Sequence, residues 1–171
     1  MKQDGNRWMR AFAYNDGEIK DLRLGGRVFV LAAKAWVDMR QALYQSISRE
    51  ASKALLWNIG HRYGVSLTKK TLKAVTYEEE VARALAEIAT YSGWGYVKLI
   101  GEVGKPEFAI EFRNCVFCVG VKDQKEPECS FLEGVISGIL NTLYGNRFQT
   151  REVECIAKND TRCLFAAKPQ M

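Results

Sequence analysis

The sequence predicts an α+β fold in which N-terminal helices pack on an antiparallel sheet of about four strands. Three observations predict it. Apolar residues recur with a helical period between about residues 31 and 91, the period changes to two from about residue 96, and a helix marked at both ends then precedes a terminal hairpin. The 171 residues suffice for one domain, with a helical half over 1–95 and a sheet, helix and hairpin half over 96–171.

In order along the chain, Ala35, Met39, Ala42, Leu43 and Ile47 share one face of a first helix, and Ala51, Ala54, Leu55 and Ile59 share one face of a second. Gly60 and Gly64 are expected to end or bend that second helix. A third should begin at Thr76, because "TYEE" places Glu79 at the reciprocal capping position. Val81, Leu85 and Ile88 supply its stripe, and "SGWG" stops it. The segments "YVKLIGEV" and "EFAIEFRN", joined through "GKP", then alternate as two antiparallel strands. Phe108, Ile110 and Phe112 fall on one face of the second strand, and Glu107, Glu111 and Arg113 on the other. The last helix has Ser130 as its expected N-cap, Glu133 three residues on, and Gly145 at its end. Gly134, Ser137 and Gly138 leave one side of it thin, so that another backbone can come close. Strands over about 148–157 and 162–167 close the chain as a hairpin.

Apolar residues make up 47% of the chain and charged residues 26%, the balance of a soluble globular protein. The first residues, "MKQDGNRWMR", carry charges where a signal peptide needs an apolar stretch, and no apolar run approaches the roughly 20 residues of a membrane span. The reading is therefore cytoplasmic, with no membrane span. Residues 1–75 hold 14 Lys and Arg against 6 Asp and Glu, within a total formal charge of +5. These charges are scattered among apolar positions and read as a solvated surface. The tightest basic group, "HRYGVSLTKKTLK", has no helix-turn-helix, zinc-finger or RNA-recognition signature beside it, so nucleic acid is not the expected partner. His61, the single histidine, reads as a surface or capping residue.

Five cysteines in such a chain read as metal ligands or buried thiols more naturally than as disulfides. In "EVECIAKNDTRC", Cys155 and Cys163 oppose each other across a hairpin centred on Asn159. They could share a tetrahedral zinc with bonds of about 2.3 Å, join as a disulfide, or stay as inert thiols. Cys129 favours the metal, since it stands just before a helix whose dipole and free amides stabilise a thiolate. Glu152 would be the fourth ligand. Simple alternation points it away from the face of Cys155, so a bulge or a strand end is expected near Val153. Cys115 and Cys118 in "NCVFC" suggest a zinc knuckle or a redox centre, but no second matching pair accompanies them. They read as core residues and stay outside the expected site.

The pattern Glu-x2-Cys-x7-Cys-x-Phe, here Glu152, Cys155, Cys163 and Phe165, follows a small-residue helix "FLEGVISGILNTLYG". Together they resemble the 4-vinyl-reductase domain family over roughly residues 107–168. The resemblance implies a fold related to vesicle-transport-particle subunits and haem NO-binding sensors, and a tendency to form homodimers. Similar domains are the sensor part of phenol-responsive transcription regulators and of proteins described as hydrocarbon-binding. In the phenol sensors a zinc is held by residues that fall here on Cys129, Glu152, Cys155 and Cys163. The chain departs from the family in its hairpin turn, Asn159-Asp160 where Gly-Asp is common, which Asn tolerates by accepting a left-handed backbone. It also shows no attached ATPase or DNA-binding domain, so its output is expected to run through a separate partner protein.

A set of three thiolates and a carboxylate has no open position, which makes it structural and not a source of metal-bound hydroxide. Arg151, Lys158 or Arg162 would offset its charge. The resemblance further implies a buried cavity for a small hydrophobic or aromatic ligand, with Trp94, Tyr96, Phe108, Trp57 and Tyr63 as candidate walls. Three functions follow: a zinc-stapled ligand-binding sensor, a reductase acting on a vinyl or similar group, and a scaffold subunit without ligand. Against the enzyme stand the missing Gly-x-Gly-x-x-Gly and phosphate-binding loops and the missing histidine-based acid/base pair.

Overall fold

The structure is a computed structural model and describes residues 11–23, 25–105, 107–145 and 148–169. Two compact units are found, one ending at Ala32 and the other beginning at Ala33. The first is a three-stranded antiparallel sheet of β1 (Phe12–Asn15), β2 (Glu18–Asp21) and β3 (Arg27–Val28). Its first turn is Asp16-Gly17, with φ of 45° and 80°. Two successive positive φ values are what a two-residue hairpin turn matched to strand twist requires. Helical periodicity assigned nothing to these residues, so this sheet is an addition to the expected architecture.

The second unit has the expected α+β class. Its helices are α1 (Ala33–Ser46), α2 (Arg49–Thr71), α3 (Glu78–Tyr91) and α4 (Ser130–Tyr144). Its sheet contains β4 (Tyr96–Ile100), β5 (Ala109–Arg113), β6 (Phe148–Glu154) and β7 (Cys163–Pro169), all antiparallel in the order β4-β5-β7-β6. Helix α4 packs on β6 on one side and on α2 on the other. Phe108, Ile110 and Phe112 are buried together with Leu132, Leu140 and Phe165, so the face expected of β5 is the core face. Pro106 of the expected "GKP" turn lies outside the described residues.

Three helix expectations are corrected. The apolar faces read for α1 and α2 are largely exposed: Met39, Leu55 and Ile59 are 42–48% accessible. The buried residue of α1 is Arg40, whose guanidinium donates to the Phe117 carbonyl at 2.8 Å. The buried face of α2 is made mostly of small residues, Ser52, Gly60, Gly64, Thr68 and Thr71, with Leu56 and Leu67 between them. Ser52, Thr68 and Thr71 satisfy their hydroxyls on carbonyls one turn back, so they can be buried without loss.

Gly60 and Gly64 neither end nor bend α2. A Cβ placed on them would lie 2.1 Å from the carbonyl oxygens of Phe131 and Val135, and one on Gly134 or Gly138 would lie 2.1 or 2.2 Å from those of Trp57 and His61. The thin side of α4 is as expected, and its partner is the thin side of α2. Four glycines let the two backbones cross almost in contact.

The capping motifs are used differently from expectation. Helix α3 begins at Glu78 after Tyr77 without a side-chain cap, and Glu79 pairs with Arg83 one turn on. The N-cap of α4 is Cys129, and Glu133 reaches across to accept the Glu152 backbone N–H at 2.9 Å. Gly145 closes α4 in the left-handed conformation, φ 68°, as its position predicts.

Candidate metal centre

Four chain segments deliver sulfur to one place. A 3-10 turn (Val116–Cys118) ends in Cys118 and follows Cys115; Cys129 caps α4; Cys155 follows β6; and Cys163 opens β7. Between the last two a second 3-10 turn (Ile156–Lys158) ends in Asn159 at φ 69°, the left-handed position foreseen for it. The β6/β7 register shifts between Glu152 and Glu154. That irregularity, expected near Val153, turns the Glu152 carboxylate toward Cys129.

All five cysteines are free and buried. The donor atoms of Cys129, Glu152, Cys155 and Cys163 lie within 4.8 Å of one another, and so do those of Cys115, Cys118, Cys129 and Cys163. The four residues singled out from the sequence are thus brought together. Cys115 and Cys118, left outside, join them: Cys118 Sγ is 3.1 Å from Cys129 Sγ, 3.5 Å from Cys163 Sγ and 3.6 Å from Cys155 Sγ. The signal missed was the Cys-x2-Cys spacing itself, since its second matching half is split between a helix cap and a hairpin distant in sequence.

The surroundings suit anionic ligands. The amides of Glu128 and Ile156 point at Cys155 Sγ and Cys163 Sγ, each at 3.5 Å, and the Cys129 amide donates to Glu152 Oε2 at 2.9 Å. The loop before α4 is pinned by the buried Glu128, which accepts from Arg49 at 2.5 Å and from the Tyr44 hydroxyl at 2.9 Å, with Lys53 at 3.4 Å. Asp160 holds the Cys155 amide at 2.7 Å. Arg162, expected to balance the site, pairs with Glu154 and Glu111 at 2.8 Å.

Titration follows this packing. Contact with Cys115, then with Cys129, Cys155 and Cys163, drives the Cys118 thiol down, and the corresponding contacts drive Cys129 up. Contact with Cys118 raises Cys155, but contacts with Cys129 and Cys163 prevail and bring it to about 6. Burial, reinforced by the neighbouring Cys155, pushes the Glu152 carboxyl up to about 10, against the pull of the Cys129 amide. Glu152 Oε1 is buried without a hydrogen-bond partner. An orphaned acceptor beside converging sulfurs is the environment a cation completes. Bonds of about 2.3 Å place sulfurs about 3.8 Å apart around a tetrahedral ion, and the Cys129–Cys163 separation is 3.7 Å. The cluster could hold a metal ion.

The expected ligand walls do not form one group. Trp94 and Tyr63 meet at 6.0 Å between ring centroids and both pack on Phe131, at 6.1 and 6.4 Å. Trp36 and Phe117 complete this aromatic group, 5.0 Å from each other. Trp57 instead stacks on His61 at 5.1 Å, Phe108 belongs to the core, and Tyr96 is exposed. Trp36 Nε1, inside the group, is buried with no hydrogen-bond partner. A separate cleft of about 380 Å³ is lined by Arg113, Glu154, Thr161 and Arg162 and shares no residue with the expected walls.

The family model of the 4-vinyl-reductase domain matches residues 108–169. An uncharacterised protein of Methanocaldococcus jannaschii is 22% identical over 133 residues, 74% of this chain and 72% of that protein. Among solved structures, the phenol-responsive sensory domain of the transcription activator PoxR, solved with phenol, superposes with a TM-score of 0.75 at 19% identity, covering 96% of this chain and 87% of that one. A vinyl-4-reductase family protein of M. jannaschii gives 0.60 at 20% identity, over 84% and 85% of the two chains. A trafficking protein particle complex subunit 3 of Naegleria fowleri, covalently bound to palmitic acid, gives 0.58 at 14% identity, over 81% and 93%. These likenesses show the fold.

Proposed function

The chain carries a 4-vinyl-reductase domain over residues 108–169, and from that premise we propose that it is a zinc-stapled sensor domain. It takes up a small aromatic or apolar molecule and reports it to a separate partner protein. Zinc suits a buried, closed, thiolate-rich set better than a hard, oxygen-seeking cation does. Cys129, Cys155, Cys163 and either Glu152 or a further thiol would hold it, and its contribution is to tie α4, the hairpin and the Cys115–Cys118 turn into one body.

The observation that carries this reading is the 3-10 turn shared by both sites. Phe117 enters the aromatic group from that turn, and the next residue, Cys118, enters the sulfur cluster. The ligand is proposed to lie among Trp36, Tyr63, Trp94, Phe117 and Phe131, with the unpartnered Trp36 indole N–H donating to its polar atom. The phenol that accompanies the PoxR sensory domain has that chemistry: an aromatic ring with one oxygen acceptor. Homodimerisation is proposed through the exposed apolar positions Met39, Leu55 and Ile59 of α1 and α2.

The test is a thermal-shift series on metal-loaded protein with phenol, alkylphenols and palmitate. A ligand at about 100 times its Kd stabilises by about 2.7 kcal/mol, which for a chain of this size raises Tm by roughly 5–10 °C. Phenols should produce that rise, and Trp36→Phe should reduce it. A rise with palmitate alone would favour a lipid-binding scaffold, and no rise with any compound would contradict the sensor.

A further inference from the structure

We infer that Cys118 is a resolving thiol: when hydrogen peroxide oxidises the metal ligand Cys129, Cys118 captures it as a disulfide and the metal is released. The inference rests on the metal reading above, with Cys129, Glu152, Cys155 and Cys163 as ligands, and adds a redox step to it.

That set uses three of the five buried cysteines and gives the unpartnered Glu152 Oε1 a cation to meet. Cys115 and Cys118 are left over as thiols without a coordination role. Cys118 is the one set against the ligands: its sulfur lies 3.1 Å from that of Cys129, 3.5 Å from that of Cys163 and 3.6 Å from that of Cys155. A protonated thiol in that place donates to bound thiolates, as the neighbours of metal ligands commonly do. Sulfurs in van der Waals contact are also one oxidation away from a bond. Cys129 is the nearest of the three ligands, and a disulfide of about 2.05 Å requires a closure of about 1 Å from their 3.1 Å separation. Cys115 is the weaker candidate, since its sulfur stands 3.8 Å from that of Cys129.

The Cys129 thiolate attacks one peroxide oxygen; the O–O bond breaks, the sulfur becomes a sulfenic acid, and hydroxide leaves. The Cys118 sulfur then attacks the Cys129 sulfur. The S–O bond breaks, an S–S bond forms, and the departing hydroxide takes the Cys118 proton and leaves as water. The two sulfurs together give up the electron pair that the peroxide gains. The metal then keeps only Glu152, Cys155 and Cys163 and dissociates. The disulfide ties the 3-10 turn to the helix cap, while the hairpin loses its metal tie to that cap. A dithiol reductant reverses the step. Burial of both sulfurs admits hydrogen peroxide and excludes a bulky disulfide oxidant.

The test uses tag-free, zinc-loaded protein treated with stoichiometric hydrogen peroxide. Released zinc is read with a colorimetric chelator, thiols are counted after denaturation, and disulfides are mapped by mass spectrometry of peptides. About one zinc per chain should leave as two thiols disappear and a peptide joining Cys118 to Cys129 appears, and dithiothreitol with zinc should restore the starting state. Cys118→Ser should bind zinc as the wild type does. After peroxide it should stay metal-free despite reductant, because unresolved Cys129 goes on to the sulfinic acid. Cys115→Ser should behave as the wild type. A link between Cys115 and Cys118 formed with zinc retained would overturn the inference, as would a Cys118→Ser variant that folds without zinc or that recovers its zinc on reduction. Each of those results leaves the wild-type metal reading intact, whereas wild-type protein that takes up no zinc overturns both. The wild-type peptide map decides even where a variant fails to fold.

Discussion

Gly134→Ala places one methyl group where α4 meets α2. An ideal Cβ there falls 2.1 Å from the Trp57 carbonyl oxygen and 2.9 Å from the His61 nitrogen, both backbone atoms of a packed helix. Carbon–oxygen contacts at helix crossings settle at about 3.3 Å or more, so the helices must part by about 1 Å along a seam that Gly60, Gly64 and Gly138 also share. Overpacking of this kind costs about 1–3 kcal/mol, with the upper end fitting an obstacle that cannot change rotamer. Against it stands the helix-propensity gain of about 1 kcal/mol for replacing Gly by Ala. The net expectation is a loss of about 2 kcal/mol, or a fall in Tm of roughly 4–8 °C for a chain of this size. Thermal and urea unfolding of metal-loaded protein, followed by circular dichroism, measures it. A Tm that is unchanged or higher in Gly134→Ala would mean that propensity alone operates, and the close crossing would be refuted.

Other consequences follow from single contacts. Arg40→Met leaves the buried Phe117 carbonyl without its donor and should cost about 1.5–3 kcal/mol in urea unfolding; an unchanged midpoint would show that the contact is dispensable. Glu111 is buried under Arg162 and Arg113, and although burial raises its carboxyl, the two arginines outweigh that and hold it below the usual value. Its stabilisation is thus fully present above the unfolded pKa of about 4.3 and is lost as pH falls through the lower folded value. Glu111→Gln should flatten the acid limb of stability against pH, and an unaltered limb would contradict this. Leu55→Glu with Ile59→Glu should shift light-scattering mass from dimer to monomer, whereas a monomeric wild type would remove the proposed interface.

Periodicity of two exposed the β4/β5 pair and the terminal hairpin, because a half-buried sheet writes alternation directly into the chain. The same logic failed on α1 and α2. Their apolar stripes do not face the core, and the core-facing side of α2 has only Leu56 and Leu67 among Ser, Thr and Gly residues, which carry no hydrophobic signal although they fit a close crossing. Phe12–Asn15, Glu18–Asp21 and Arg27–Val28 form strands, the first two joined by a legible Asp16-Gly17 turn, but each strand is too short for alternation to stand out. At the site, Glu152 could be placed because its conflict with strand alternation demanded the bulge that the β6/β7 register shows. Cys118 could not, since its neighbours 129, 155 and 163 are adjacent only after folding. The buried Glu128 escaped for the same reason: its partners Arg49, Lys53 and Tyr44 lie more than 70 residues earlier.

The buried cysteines are proposed to hold a metal that ties the helix cap to the hairpin. Elemental analysis of tag-free protein, read beside a Cys155→Ser/Cys163→Ser variant and a thiol count after denaturation, tests it most directly. About one zinc per chain is expected in the wild type, lost in the variant together with much of its thermal stability. Metal-free protein in which all five cysteines titrate as thiols, and whose melting is indifferent to added zinc and to chelator, would contradict it.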